Sequence, residues 1–150
     1  MPLRDQTECT VITLCGDTVI RPRILLADDH PPLLEAEIAL LSPYFDVVGT
    51  ATDGAALVSK AHSLRPDVIV TDISMPVLSG IDAVHKLRES GSTAKFVFLT
   101  VHSRIEFVEA CMGAGALGYV QKYCMKRHLV PAIRAALAGQ SYISQQDSAT

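Results

Sequence analysis

A doubly wound α/β domain, five parallel strands with helices on both faces, is the fold class that this 150-residue sequence predicts. Five short apolar runs alternate with longer stretches of helical period. The runs are continuous rather than alternating in polarity, as befits strands covered on both faces. No hairpin signal joins any two of them, and parallel neighbours need crossover connections.

In chain order, RILLA at 23–27 is the first strand and ends in Asp28-Asp29. A helix is predicted over 32–41, with Leu34, Ile38 and Leu41 on one face. DVVGTA at 46–51 is followed by a helix over 53–64, N-capped by Asp53, carrying Leu57, Ala61 and Leu64 and closed by Arg65-Pro66. DVIVTD at 67–72 ends on Asp72, after which Met75-Pro76 and Gly80 turn the chain into a helix over 80–89, stopped by Ser90-Gly91-Ser92. KFVFLT at 95–100 ends on Thr100 and leads to a helix over 103–112 that aligns Ile105, Val108 and Met112 and stops at Gly113 and Gly115. LGYVQ at 117–121 runs into Lys122 and a last helix over 126–138, stopped by Gly139. Pro131 inside that helix predicts a late start near His128 or a kink.

These elements place one domain over 23–140. Residues 1–22 have no pattern beyond TVITL and read as a mobile extension, with an added edge strand as the alternative. Residues 141–150 read as a linker or tail. With 49% hydrophobic and 19% charged residues, the chain has the apolar content for a sizeable core. A net charge of −3 lacks the basic excess of a nucleic-acid-binding segment, so any DNA contact is expected from elsewhere. Cys9, Cys15, Cys111 and Cys124 have no metal-site spacing and read as free thiols of a reducing, cytoplasmic setting. No stretch approaches the roughly 20 apolar residues of a spanning helix.

In open parallel sheets, ligands sit beyond the carboxyl ends of the strands, where strand order reverses. With strand order 2-1-3-4-5, the first and third strands are neighbours. Asp28, Asp29 and Asp72 then converge with Thr100 and Lys122 on one edge. Each alone is an ordinary turn, cap or surface residue; their joint occurrence at four strand ends is what marks a site. Three close carboxylates repel unless a cation neutralises them, and oxygen ligands without a dedicated cage loop point to Mg²⁺. With Lys122 opposite, such a site suits phosphoryl transfer, with Asp72 as the nucleophile.

The motifs ILLADDHP, VIVTDISMPVLSG, FVFLT and GYVQK together resemble the receiver domain of bacterial two-component response regulators, over roughly 23–140. The resemblance implies a flavodoxin-like receiver fold, with Asp72 as phosphoacceptor for a sensor histidine kinase. It implies that Asp28, Asp29, Asp72 and the Ser74 carbonyl hold Mg²⁺, with Asp29 the more direct ligand of the acidic pair. Thr100 and Lys122 would bind the phosphoryl oxygens, and Tyr119 would change rotamer with Thr100. It also implies self-phosphorylation and self-dephosphorylation rather than turnover as an enzyme. Phosphorylation would act on a face formed by the fourth helix, fifth strand and fifth helix, to which Ile105, Glu109, Ala116 and Leu117 contribute, and drive homodimerisation.

The closing AIRAALAGQSYIS, with DDHP, resembles the subfamily whose receivers precede a LuxR-type helix-turn-helix. DNA-binding output by a domain outside this sequence is therefore expected; a stand-alone receiver acting through protein contacts or a phosphorelay is the alternative. Two departures stand out. Val101 and His102 follow Thr100 where a small residue is common, predicting slower self-phosphorylation and hydrolysis. Tyr123-Cys124 follow Lys122 in place of proline or an acid, leaving the last helix without an obvious cap. Rival readings lack parts: a dehalogenase-type phosphatase needs a second acid where Ser74 stands, and a flavin carrier needs free donors where DDHPP stands.

Overall fold

The structure, a computed structural model, describes residues 20–144. Strands β1 (Arg23–Ala27), β2 (Asp46–Ala51), β3 (Val68–Thr71), β4 (Lys95–Thr100), β5 (Gly118–Gln121) and β6 (Tyr142–Ile143) form one sheet. All pairs are parallel and the order is β2-β1-β3-β4-β5-β6. Helices α1 (Pro31–Leu41), α2 (Gly54–Leu64), α3 (Gly80–Glu89), α4 (Ile105–Gly113) and α5 (Met125–Leu137) cover it. The doubly wound receiver topology expected from the sequence is thus present, with the order reversing between β1 and β3.

Alternation along the apolar strands divides the interior into two cores. Leu25, Ile69, Phe96, Phe98 and Tyr119 face α2, α3 and α4, meeting Leu57, Val84, Leu87 and Val108. Ile24, Leu26, Val70, Leu99 and Val120 face α1 and α5, meeting Leu34, Leu41, Leu129 and Ile133. The cap expected from the sequence is made, the Ala56 N–H donating to Asp53 Oδ1 at 2.7 Å, and α3 has one not predicted from the sequence, the Asp82 N–H donating to Ser79 Oγ at 3.1 Å. Among the described residues no helix is long and apolar enough to cross a membrane.

Two expectations are corrected. The sheet has six strands rather than five, because Tyr142–Ile143 pairs with β5, and the ordered fold runs past the expected boundary at 140 into what read as a tail. Ile105, the first residue of α4, is 62% exposed, whereas Val108 is buried. The last helix shows no late start: α5 begins at Met125, directly after a 3₁₀ turn over Lys122–Cys124, and runs through Pro131. Pro131 deprives the Arg127 carbonyl of its helical donor, but both residues are exposed, so water takes the place of the lost bond. Cys111 is buried and Cys124 half-buried, neither in a disulfide. Cys9, Cys15 and the TVITL run lie outside the described residues, as do 145–150 of the tail.

Candidate functional site

The order reversal puts the carboxyl ends of β1 and β3 side by side, and the chain is pinned there by the Asp72 N–H donating to Ala27 O at 3.0 Å. Carboxylate oxygens of Asp28, Asp29 and Asp72 lie within 4.8 Å of one another. Asp28 and Asp72 are buried and Asp29 is exposed, so the cluster is open to solvent on one side only.

Lys122, from the end of β5, joins the two buried acids: Nζ lies 2.7 Å from Asp28 Oδ2 and donates to Asp72 Oδ2 at 2.9 Å. Burial would depress the Lys122 pKa, but the bonds to Asp28 and Asp72 outweigh it and the net shift is upward, so the ammonium stays charged. Burial pushes the Asp28 pKa up, against the opposing pull of Lys122. The second oxygens have backbone partners: the His30 N–H donates to Asp28 Oδ1 at 2.9 Å and the Ile73 N–H to Asp72 Oδ1 at 2.7 Å. Asp72 therefore presents one oxygen fixed by the main chain and one, Oδ2, held only by an ammonium.

Thr100 and Tyr119 do not touch this cluster; they are tied together through His102. The His102 N–H donates to Thr100 Oγ1 at 3.3 Å, and the Tyr119 hydroxyl donates to His102 O at 2.7 Å. Tyr119 is fully buried, already turned inward, and burial pushes its hydroxyl pKa up to about 12. The His102 ring stacks on Phe107 with centroids 4.0 Å apart, and its Nε2 lies 3.3 Å from Ser74 Oγ, closing the loop after β4 onto the loop after β3. Val101, expected to crowd the site, is 71% exposed and mostly faces solvent.

Sequence reasoning missed Glu37. It lies on the buried face of α1, 1% exposed, and among the described residues neither carboxylate oxygen has a hydrogen-bond partner. Burial raises its pKa to about 8, with Asp28 adding and Lys122 opposing. Glu37 is therefore a neutral acid at pH 7 and adds no fourth negative charge to the cluster.

The loop from β3 to α3 is built for close approach. The Gly80 N–H donates to Ile73 O at 2.7 Å, and a Cβ at Gly80 would collide with the Asp72 carbonyl, so α3 starts against the site only because residue 80 is glycine. Val77 in the same loop has φ of 72° and is 80% exposed. A β-branched residue in the left-handed region is strained with no burial to offset it. Val77→Gly is therefore expected to raise the unfolding free energy by about 1 kcal/mol, read from urea denaturation; a loss of stability would show that the loop is not strained there.

The family described as response regulator receiver domain matches residues 24–134. Over 126 residues the chain is 37% identical to the response regulator GacA of Pseudomonas viridiflava, covering 83% of this chain and 59% of that protein. It is 36% identical over 124 residues to the nitrate/nitrite response regulator protein NarL of Escherichia coli, covering 81% and 57%. The chain thus spans less than three fifths of these relatives. A LuxR-family two-component response regulator from Aurantimonas superposes with a TM-score of 0.79 at 34% identity, over 83% of this chain and 90% of that one. The receiver domain of a NarL response regulator from Mycobacterium tuberculosis does so with a TM-score of 0.77 at 27% identity, over 81% and 99%.

Proposed function

This chain belongs to the response regulator receiver domain family, and from that premise we propose that it is a phosphorylation-gated switch whose phosphoacceptor is Asp72. The observation that carries this is the division of labour at the Asp72 carboxylate, where Oδ1 is fixed by the Ile73 N–H and Oδ2 faces Lys122. Oδ2 attacks the phosphorus of a sensor kinase phosphohistidine; the phosphorus–nitrogen bond breaks, the phosphorus–Oδ2 bond forms, and the imidazole departs with the electron pair. Lys122 then donates to one phosphoryl oxygen, and the Thr100 hydroxyl donates to another.

Asp28, Asp29 and Asp72 fit a divalent cation: three carboxylates within 4.8 Å, oxygen donors only, one face open to solvent. With the Ser74 carbonyl they would hold Mg²⁺, which when bound supplies the positive charge that screens the transferring group. The reaction is stoichiometric modification of the chain's own side chain with slow self-hydrolysis, not enzymatic turnover. Output passes to a LuxR-type DNA-binding domain or, as the alternative, to protein partners of a stand-alone receiver in the cytoplasm. The face between α4 and α5 recruits the partner or a second copy.

Incubation with acetyl phosphate and Mg²⁺ tests the reading. The chain is expected to gain one phosphoryl mass, and Asp72→Asn is expected to gain none. Continuous release of phosphate without a stable adduct would point to a phosphatase, and no reaction with either acetyl phosphate or a phosphorylated kinase domain would point to a module that has lost the chemistry.

A further inference from the structure

The sixth strand is the least secured element of the sheet. β6 has two residues, paired with Gly118 and Tyr119 of β5; at the ends of this short ladder the Tyr142 N–H donates to Leu117 O and the Ser144 N–H to Tyr119 O, each 2.8 Å. Two side-chain bonds add to these: the Gln121 N–H donates to Ser144 Oγ at 3.0 Å, and His128 Nδ1 lies 2.7 Å from the Tyr142 hydroxyl. Ser144 is buried, whereas Ile143 is 40% exposed. Without this segment β5 would be the edge strand, its outward carbonyls and amides bare between α4 and α5. That edge is the face from which a receiver output is expected, and in this chain its own residues fill it.

The points of attachment are also the points nearest the chemistry. Tyr119 bonds Ser144 through its carbonyl and His102 through its hydroxyl, and His102 bonds Thr100. Gln121, which donates to Ser144, directly precedes Lys122, which bonds Asp28 and Asp72. The line from the acidic cluster through Lys122 leads to Gln121, which donates to Ser144, and the separate chain Thr100–His102–Tyr119 ends on the Tyr119 carbonyl that also holds Ser144.

We infer that Tyr142–Ser144 is a detachable strap on the outer edge of β5, and that phosphoryl transfer to Asp72 loosens it. The inference rests on the reading of Asp72 as the phosphoacceptor. Oδ2, the oxygen left to attack, is the one Lys122 holds at 2.9 Å. A phosphoryl group bonded to Oδ2 occupies the space that now separates it from Nζ. Lys122 withdraws, the 3₁₀ turn that begins with it shifts, and the Gln121 peptide moves relative to Ser144 Oγ. So short a strand, held by a handful of bonds, belongs to the low-stability end of the fold. Loosening it bares the β5 edge.

Amide hydrogen exchange on the full chain, with and without acetyl phosphate and Mg²⁺, tests this, with intact mass read on the same samples. In the phosphorylated protein the Gln121, Tyr142 and Ser144 amides are expected to lose about tenfold in protection, while Leu25 and Ile69 in the sheet interior keep theirs. Linkage demands the reciprocal effect. Ser144→Pro, which removes both the N–H and the hydroxyl, is expected to bind beryllofluoride with Mg²⁺ about threefold more tightly, and Ser144→Ala, which keeps the N–H, to fall between. A phosphoryl mass gain with unchanged or increased protection would overturn the strap alone. No mass gain from acetyl phosphate or from a phosphorylated kinase domain would overturn the reading of Asp72, and the strap with it.

Discussion

Glu37→Leu is expected to raise the unfolding free energy by about 4 kcal/mol at pH 8 and by far less at pH 5. The sign follows from the raised pKa, about 8 in the folded protein against 4.5 for an unperturbed glutamate. Below 4.5 both states hold the proton, and the remaining cost of the unpartnered buried carboxyl no longer varies with pH. Between 4.5 and 8 the unfolded chain releases the proton while the folded chain keeps it, so the wild-type protein loses stability steadily as pH rises. Leucine has no proton to release and adds apolar volume to the buried face of α1 that carries Leu34 and Leu41. Glu37→Gln is expected to flatten the pH dependence while leaving an unpartnered polar group in the core. Asp28, whose pKa is also raised, adds a slope of the same sign that the proteins share. Denaturant titrations at pH 5 and pH 8 decide the matter: parallel wild-type and leucine curves would mean that Glu37 does not hold its proton.

Lys122→Ala is expected to slow phosphoryl uptake from acetyl phosphate by about 10² to 10³-fold, the scale for removing one preorganised donor to developing charge. The same substitution strips Asp28 Oδ2 and Asp72 Oδ2 of the ammonium they share. Two buried carboxylates then face each other, and Mg²⁺ is expected to bind more tightly as uptake falls. That opposition is the useful signature, because general loosening of the site would weaken both. Calorimetric titration with Mg²⁺ alongside single-turnover uptake checks it; weaker metal binding would assign Lys122 a merely structural part.

The two predictions draw on features that the sequence disclosed unequally. The first five strands were readable because each is a continuous run of residues suited to burial on both faces, and strand-end chemistry followed from topology: Asp28, Asp29, Asp72 and Lys122 meet as expected. Thr100 was placed at its strand end correctly and Tyr119 lies within β5, but their link through the His102 main chain has no sequence signal, since any residue could supply that N–H and carbonyl. β6 escaped because SYIS is short and set among polar residues; it is a strand only because β5 offers an edge. Glu37 did carry a signal. It lies three residues after Leu34 and four before Leu41, squarely on the apolar face, and its charge alone argued it off that face.

The stretch from Val68 to Gly80 thereby gains a physical account. Val68, Ile69 and Val70 are fully buried and hold Asp72 at the rim of the sheet. Lys122 compensates its charge, and Gly80 lets the next helix begin without crowding it. The claim that everything rests on is that the phosphoryl group is carried by this one carboxylate among three. Borohydride reduces an aspartyl phosphate to homoserine, so reduction of the phosphorylated chain followed by peptide mass mapping locates the modified residue. Homoserine at position 72 and nowhere else is the expected result; homoserine at 28 or 29, or a stable phosphoryl group on a residue that borohydride leaves unchanged, would contradict it.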